Sequence, residues 1–126
     1  MSDNPLPLEK MTKEELLARL LHKEYGYYLA ILDLTQQEHR KLKARAPINE
    51  ISPILKQKKI IMACIVEVET ALRPLKDYWK NKANRDDDAS IRVKQEVAGL
   101  NKLMQEILNL DLESQKHMKE YMDSVG

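Results

Sequence analysis

Residues 55–79 read LKQKKIIMACIVEVETALRPLKDYW. A basic run enters a dense apolar block, IIMACIV (60–66), and Pro74 then falls inside a pattern that closes on Trp79. Ile54, Leu55, Ile61, Met62, Ile65, Val68, Leu72, Leu75 and Trp79 recur at intervals dominated by three and four, the period of one face of an α-helix. Ile60, Cys64 and Val66 widen that face. Proline removes one backbone hydrogen bond, and its ring crowds the carbonyl of Thr70. A bend is therefore expected at Pro74, not a stop, because Leu75, Tyr78 and Trp79 continue the stripe. The apolar block points in too many directions for a simple two-sided contact, so this helix is expected to lie centrally between its neighbours.

Upstream, Thr12 and Glu15 make a capping-box pattern. Leu17, Leu21, Tyr25, Tyr28, Leu32, Thr35, His39 and Leu42 follow at helical spacing, with Leu16, Leu20 and Ile31 alongside. A loose tail over 1–11 and a first helix over about 12–45 are expected. RAPINEISP (45–53) reads as a break. Pro47 disfavours helix at Ala46, and Ser52, or alternatively Asn49, reads as an N-cap with Pro53 in the first turn. The second helix then covers about 52–81. NKANRDDDAS (81–90) has no apolar residue except alanine, and Asp86, Asp87 and Asp88 put negative charge where a third helix begins. That helix, about 88–123, carries Val93, Val97, Leu100, Met104 and Ile107, with Leu103, Leu108, Leu110 and Leu112 beside them. Its stripe falters over 111–117, where Asp111 and Ser114 occupy apolar positions, and resumes at Met118, Tyr121 and Met122 as a separate patch. Helices of about 30 to 35 residues are roughly 45–50 Å long. Matched lengths and short breaks predict an all-α fold: one domain over 12–126, an up-down-up antiparallel bundle of three long, coiled-coil-like helices.

Composition narrows the function. The 126 residues hold 21 Lys and Arg against 20 Asp and Glu, a net charge of +1 that gives no global argument for nucleic acid or an anionic membrane. The single cysteine, Cys64, cannot pair within the chain, which suits a reducing compartment. MSDNPLPLEK lacks the apolar core of a secretory signal, and no run reaches the roughly 18 apolar residues of a membrane span. A cytoplasmic location is expected. His22, His39 and His117 do not stand at metal-ligand spacings, and three consecutive aspartates diverge in direction. Gly26, Gly99 and Gly126 are isolated, so there is no phosphate loop, and Cys64 on an apolar face reads as a buried, inert thiol. HRKLK (39–43) sets basic residues beside His39, but no small residue makes room for a phosphoryl group. No catalytic residue, metal or cofactor is expected, and the chain is not expected to be an enzyme. Gly26 interrupts a helix at a cost of about 1 kcal/mol relative to alanine, either to admit a close neighbour or because it is tolerated.

Two surfaces remain as candidates for binding. Arg40, Lys41, Lys43, Arg45, Lys56, Lys58 and Lys59 form a basic pole around the first break. It would suit an acidic partner or nucleic acid, although no aromatic residue for base stacking falls between 29 and 77. Met118, Tyr121 and Met122 form the other surface, and unbranched methionine adapts to varied partners.

Four stretches together resemble the FlgN-like flagellar export chaperones, small cytoplasmic proteins of long antiparallel helices. They are LLARLLHKEYGYYLAILDLTQQEHRKL (16–42), ISPILKQKKIIMACIVEVE (51–69), LRPLKDYW (72–79) and VAGLNKLMQEILNLD (97–111). The resemblance implies a binding function: holding the C-terminal helical segment of a hook-associated, hook–filament junction protein before type III export. Its implied partners are that secreted client and components of the export apparatus. Carried onto this chain, the client-binding end corresponds to Leu108, Leu112, Met118, Tyr121 and Met122. The alternative is a helical adaptor that forms a homodimer through the same surface, or that binds through the basic pole.

Overall fold

A computed structural model describes residues 11–82 and 86–125, and among them there are three helices and no strand. They are α1 (Lys13–Lys43), α2 (Ile48–Asn81) and α3 (Asp88–Val125). The all-α bundle expected from the sequence is the observed fold. The expected tail lies almost wholly outside the described residues. So does part of the second break, at 83–85.

Each helix begins and ends for a local reason. Thr12 caps α1: its hydroxyl accepts the Glu15 backbone N–H at 3.1 Å. The first break is much shorter than 45–53. Arg45 takes a left-handed φ of 55°, its N–H reaches the Leu42 carbonyl, and the Ala46 N–H reaches that of Lys41. These two bonds make a Schellman C-cap. Pro47 then occupies the N-cap of α2, displacing both expected caps, Ser52 and Asn49. Ile48–Ser52 are already helical. α2 passes through both Pro53 and Pro74 without a break. Asp87 starts α3, accepting the Ser90 N–H at 2.7 Å through Oδ1.

The packing order differs from the expected one. α1, not α2, is the central helix: it lies along both α2 and α3, whereas α2 and α3 barely approach each other. The central seam of α1 is Glu14, Leu17, Leu21, Glu24, Tyr28, Ile31, Thr35, Glu38 and Leu42, alternating by three and four, with all but Tyr28 buried. That alternation is the heptad of a coiled coil. Ile51, Ile54, Ile65, Val68 and Leu72 of α2 and Val93, Leu100, Leu103 and Ile107 of α3 answer it from either side. IIMACIV, expected in the centre, is largely outside: Ile60 is 66% and Val66 63% exposed. Cys64, expected to be buried, is half-buried. Trp79 packs against the cluster of Leu17, Ala18, Leu72 and Val93, near the start of α3 as expected.

Candidate functional site: a groove between the outer helices

Because α2 and α3 flank α1 without closing on each other, a groove runs between them with α1 as its floor. It consists of two hollows of about 540 and 420 Å³, continuous through Asn101 and Met104, which line both. The first hollow is walled by Met62 of α2 and by Met104 and Leu108 of α3, over Ile31 and Ile107. Met62, Met104 and Leu108 are 46%, 42% and 52% exposed, although all three belong to stripes that read as core. The second hollow has Leu17, Leu21 and Glu24 beneath it and Val97, Trp79 and Glu69 at its sides. Three flexible apolar side chains standing open to solvent in one trough are what a partner's apolar helix face needs.

Lysine clamps tie the outer helices to α1 and to each other. Lys58 donates to Glu38 of α1 at 3.0 Å and to Asp111 of α3 at 3.3 Å. At the opposite end Lys82, just past α2, reaches Glu14 at 2.8 Å, Asp87 at 2.8 Å and Ser90 at 3.2 Å. Tyr78 adds its hydroxyl to Glu14 at 2.7 Å. The hydrogen bond from Lys82 comes first among the causes that hold the Glu14 carboxyl low. Asp87, with Glu14 behind it, pushes Lys82 up to about 12, and Lys82 and Ser90 bring Asp87 down to about 2. The Lys82 clamp is therefore charged over the whole range in which proteins ordinarily fold.

Between the clamps lies a carboxyl pair. Glu24 is 1% exposed and faces Glu69 of α2. Burial, and then the Glu69 carboxylate, push Glu24 up to about 8. Glu69 is held low by the hydrogen bond from Glu24 and by Lys76, which donates to it at 3.2 Å. At neutral pH the shared proton therefore sits on Glu24. Burial, followed by these two carboxyls, also raises the nearby Tyr28 phenol.

The expected site residues fall into three situations. Leu108 lines the groove. Leu112 and Met122 are exposed, and Met118 and Tyr121 half-buried. The polar gap in the stripe at 111–117 does not interrupt the helix. α3 is continuous there, Ser114 is buried 3.5 Å from His39, and Asp111 turns to Lys58. Polar residues stand in the seam because polar partners face them. In the basic pole, Arg40, Lys43, Arg45, Lys56 and Lys59 are exposed, Lys41 pairs with Glu50 at 3.2 Å, and Lys58 points inward as a clamp. Sequence reasoning missed Met62, Met104, Glu24 and Glu69 as site residues. For Met104 the signal was a second row, one position past the seam residue Leu103, as Leu108 is one past Ile107. Glu24 carries no local signal, because it is explained only by Glu69, while Glu69 reads as a surface partner of Lys76 on its own helix.

Among the described residues no group of three or more metal-ligating side chains converges, and no helix is long and apolar enough to cross a membrane. A larger opening of about 620 Å³ between α1 and α3 has Met11 and Ala89 in its lining together with the charged or titratable Glu15, Arg19, His22, Asp88 and Arg92. Comparison with family models, with curated proteins and with solved structures returns no match.

Proposed function

We propose that this protein is a helix-binding chaperone whose client lies in the groove between α2 and α3. The observation that carries the reading is the solvent-open trio Met62, Met104 and Leu108 over a floor of buried Ile31 and Ile107. A client helix there completes a four-helix arrangement, with α1 diagonally opposite and α2 and α3 at its sides. Its anchors at i, i+3, i+4 and i+7 bury against the methionines, which adjust to different side chains. The sequence resemblance to FlgN-like export chaperones supplies the client class: the C-terminal helical segment of a hook-associated protein, held in the cytoplasm before type III secretion. Met118 and Met122 extend α3 beyond the groove and lengthen the contact.

Titration calorimetry of the full chain with such a C-terminal fragment tests this. Binding at 1:1 is expected. Met62→Asp with Met104→Asp should weaken it at least about a hundredfold, since each places a carboxylate in a desolvated contact. The helical circular dichroism of the variant should not change. Undiminished binding by the double variant would show that the groove is not the site, and a 2:2 complex or a dimer without client would favour the self-associating adaptor.

A further inference from the structure

The groove has different chemistry along its length. At the Met62–Leu108 level it is apolar, and seven residues away along each wall it is not: Met62 leads to Glu69 on α2 and Leu108 to Asn101 on α3. Seven helical residues are about 10.5 Å. At this second level Glu24 lies in the floor, and its Oε2 has no hydrogen-bond partner. The facing Glu69 is itself an acceptor and already holds Lys76. A buried carboxyl against a carboxylate is an arrangement that only a proton or a cation satisfies.

We propose that the Glu24–Glu69 pair is the receptor for a basic side chain, arginine or lysine, carried by the bound helix seven residues from the apolar anchor that seats between Met62 and Leu108. The inference rests on the groove being the client site. Its α3 wall at this level is Asn101 flanked by Val97, Leu100 and Met104, along which the methylene stem lies while the charged head reaches the floor. The charged and titratable groups around the pair leave one place for a cation. α1 contributes Glu24 and Tyr28, and α2 contributes Glu69, Lys76 and, at longer range, Arg73. α3 presents no charge here, only Leu100, Asn101 and Met104. Lys80, also on the rim, stands eleven residues along α2 from Glu69, about 16 Å away. Lys76 satisfies Glu69, and the entering cation satisfies Glu24. Glu24 gives up its proton to solvent as the cation arrives, so charge in the hollow is conserved and binding is linked to proton release.

The test uses the full chain and two synthetic amphipathic peptides with the same apolar anchors. One has arginine and the other norleucine at the seventh position from the central anchor. Calorimetry at pH 8.5 should show the arginine peptide binding about tenfold more tightly. The advantage should narrow at pH 6, and at pH 7 the dependence of heat on buffer should report release of about one proton for the arginine peptide alone. Glu24→Gln should lose both the arginine preference and the proton release, and Glu69→Gln should reduce the preference in the same way. Equal affinity for the two peptides, or a preference that survives Glu24→Gln, overturns the receptor and leaves the groove standing. Failure of both peptides to bind overturns the groove and this inference with it.

Discussion

Arg45 and Gly26 stand in each other's natural places. Arg45 adopts the left-handed conformation just past the C-cap of α1, where glycine carries no Cβ penalty, and Gly26 sits in the middle of a helix, where alanine is better. A Cβ at Gly26 would meet nothing within 4 Å, so no neighbouring helix requires the glycine. Gly26→Ala and Arg45→Gly should each stabilise the fold by about 1 kcal/mol, additively because the sites lie far apart, as chemical denaturation would show. Glu24 gives a residue-scale effect of opposite kind. Its folded pKa of about 8 lies above the ordinary 4.5, so the folded state binds the proton more tightly. Stability from Glu24 is full below about pH 4.5 and is lost as pH rises towards 8. Glu69, shifted down, acts only below its ordinary range, near 4.5. Denaturation midpoints of the wild type should therefore fall between pH 5 and 8, and Glu24→Gln should flatten that slope and be the more stable protein at pH 9.

At the scale of the helices, the number of elements, their apolar period and the second break were legible in the sequence, but the order of packing was not. Hydrophobic width marked α2 as central, because IIMACIV offers apolar groups on several sides. Width, however, records how much apolar surface a helix carries, and α2 spends part of it on the groove and on solvent. α1 is central although its seam holds Glu14, Glu24 and Glu38, which read as surface charges until Lys82, Glu69 and Lys58 are placed opposite them. Those partners lie 20 to 68 residues away in sequence, beyond any local pattern. The Schellman turn at Arg45 was hidden because its usual glycine is absent. Lys58 shows what the ion pairs contribute. It joins Glu38 of α1 to Asp111 of α3, where α2 and α3 have little apolar contact. Lys58→Met leaves the mostly buried Glu38 carboxylate unmatched and should cost about 2 kcal/mol, discounted for its partial exposure. Lys58→Met with Glu38→Leu should recover most of that loss, the outcome that distinguishes an orphaned charge from lost packing.

For the molecule as a whole, the sequence pattern and the folded chain differ on how much the end of α3 matters. Read from the sequence, residues 108–122 hold the client, with Met118, Tyr121 and Met122 as a separate patch at their end, and deleting 115–126 would abolish binding. In the structure α3 is continuous, and Met62, Met104 and Leu108, all upstream of residue 115, line the hollow in which the proposed client would sit. The deletion should therefore weaken client binding by about tenfold and not abolish it, since residues at the end of a contact contribute less than anchors in a hollow. Folding should survive. The seams of Leu17 to Ile31 with Leu72, Val93, Leu103 and Ile107 remain whole, while His39 and Leu42 lose cover from His117 and Tyr121. A cooperative thermal transition lowered by a few degrees is the expected signature, measured by circular dichroism beside the calorimetry. Complete loss of binding with the bundle intact would move the site to the end of α3. Loss of the cooperative transition would instead show that the last turns of α3 are part of what holds α1 in the middle.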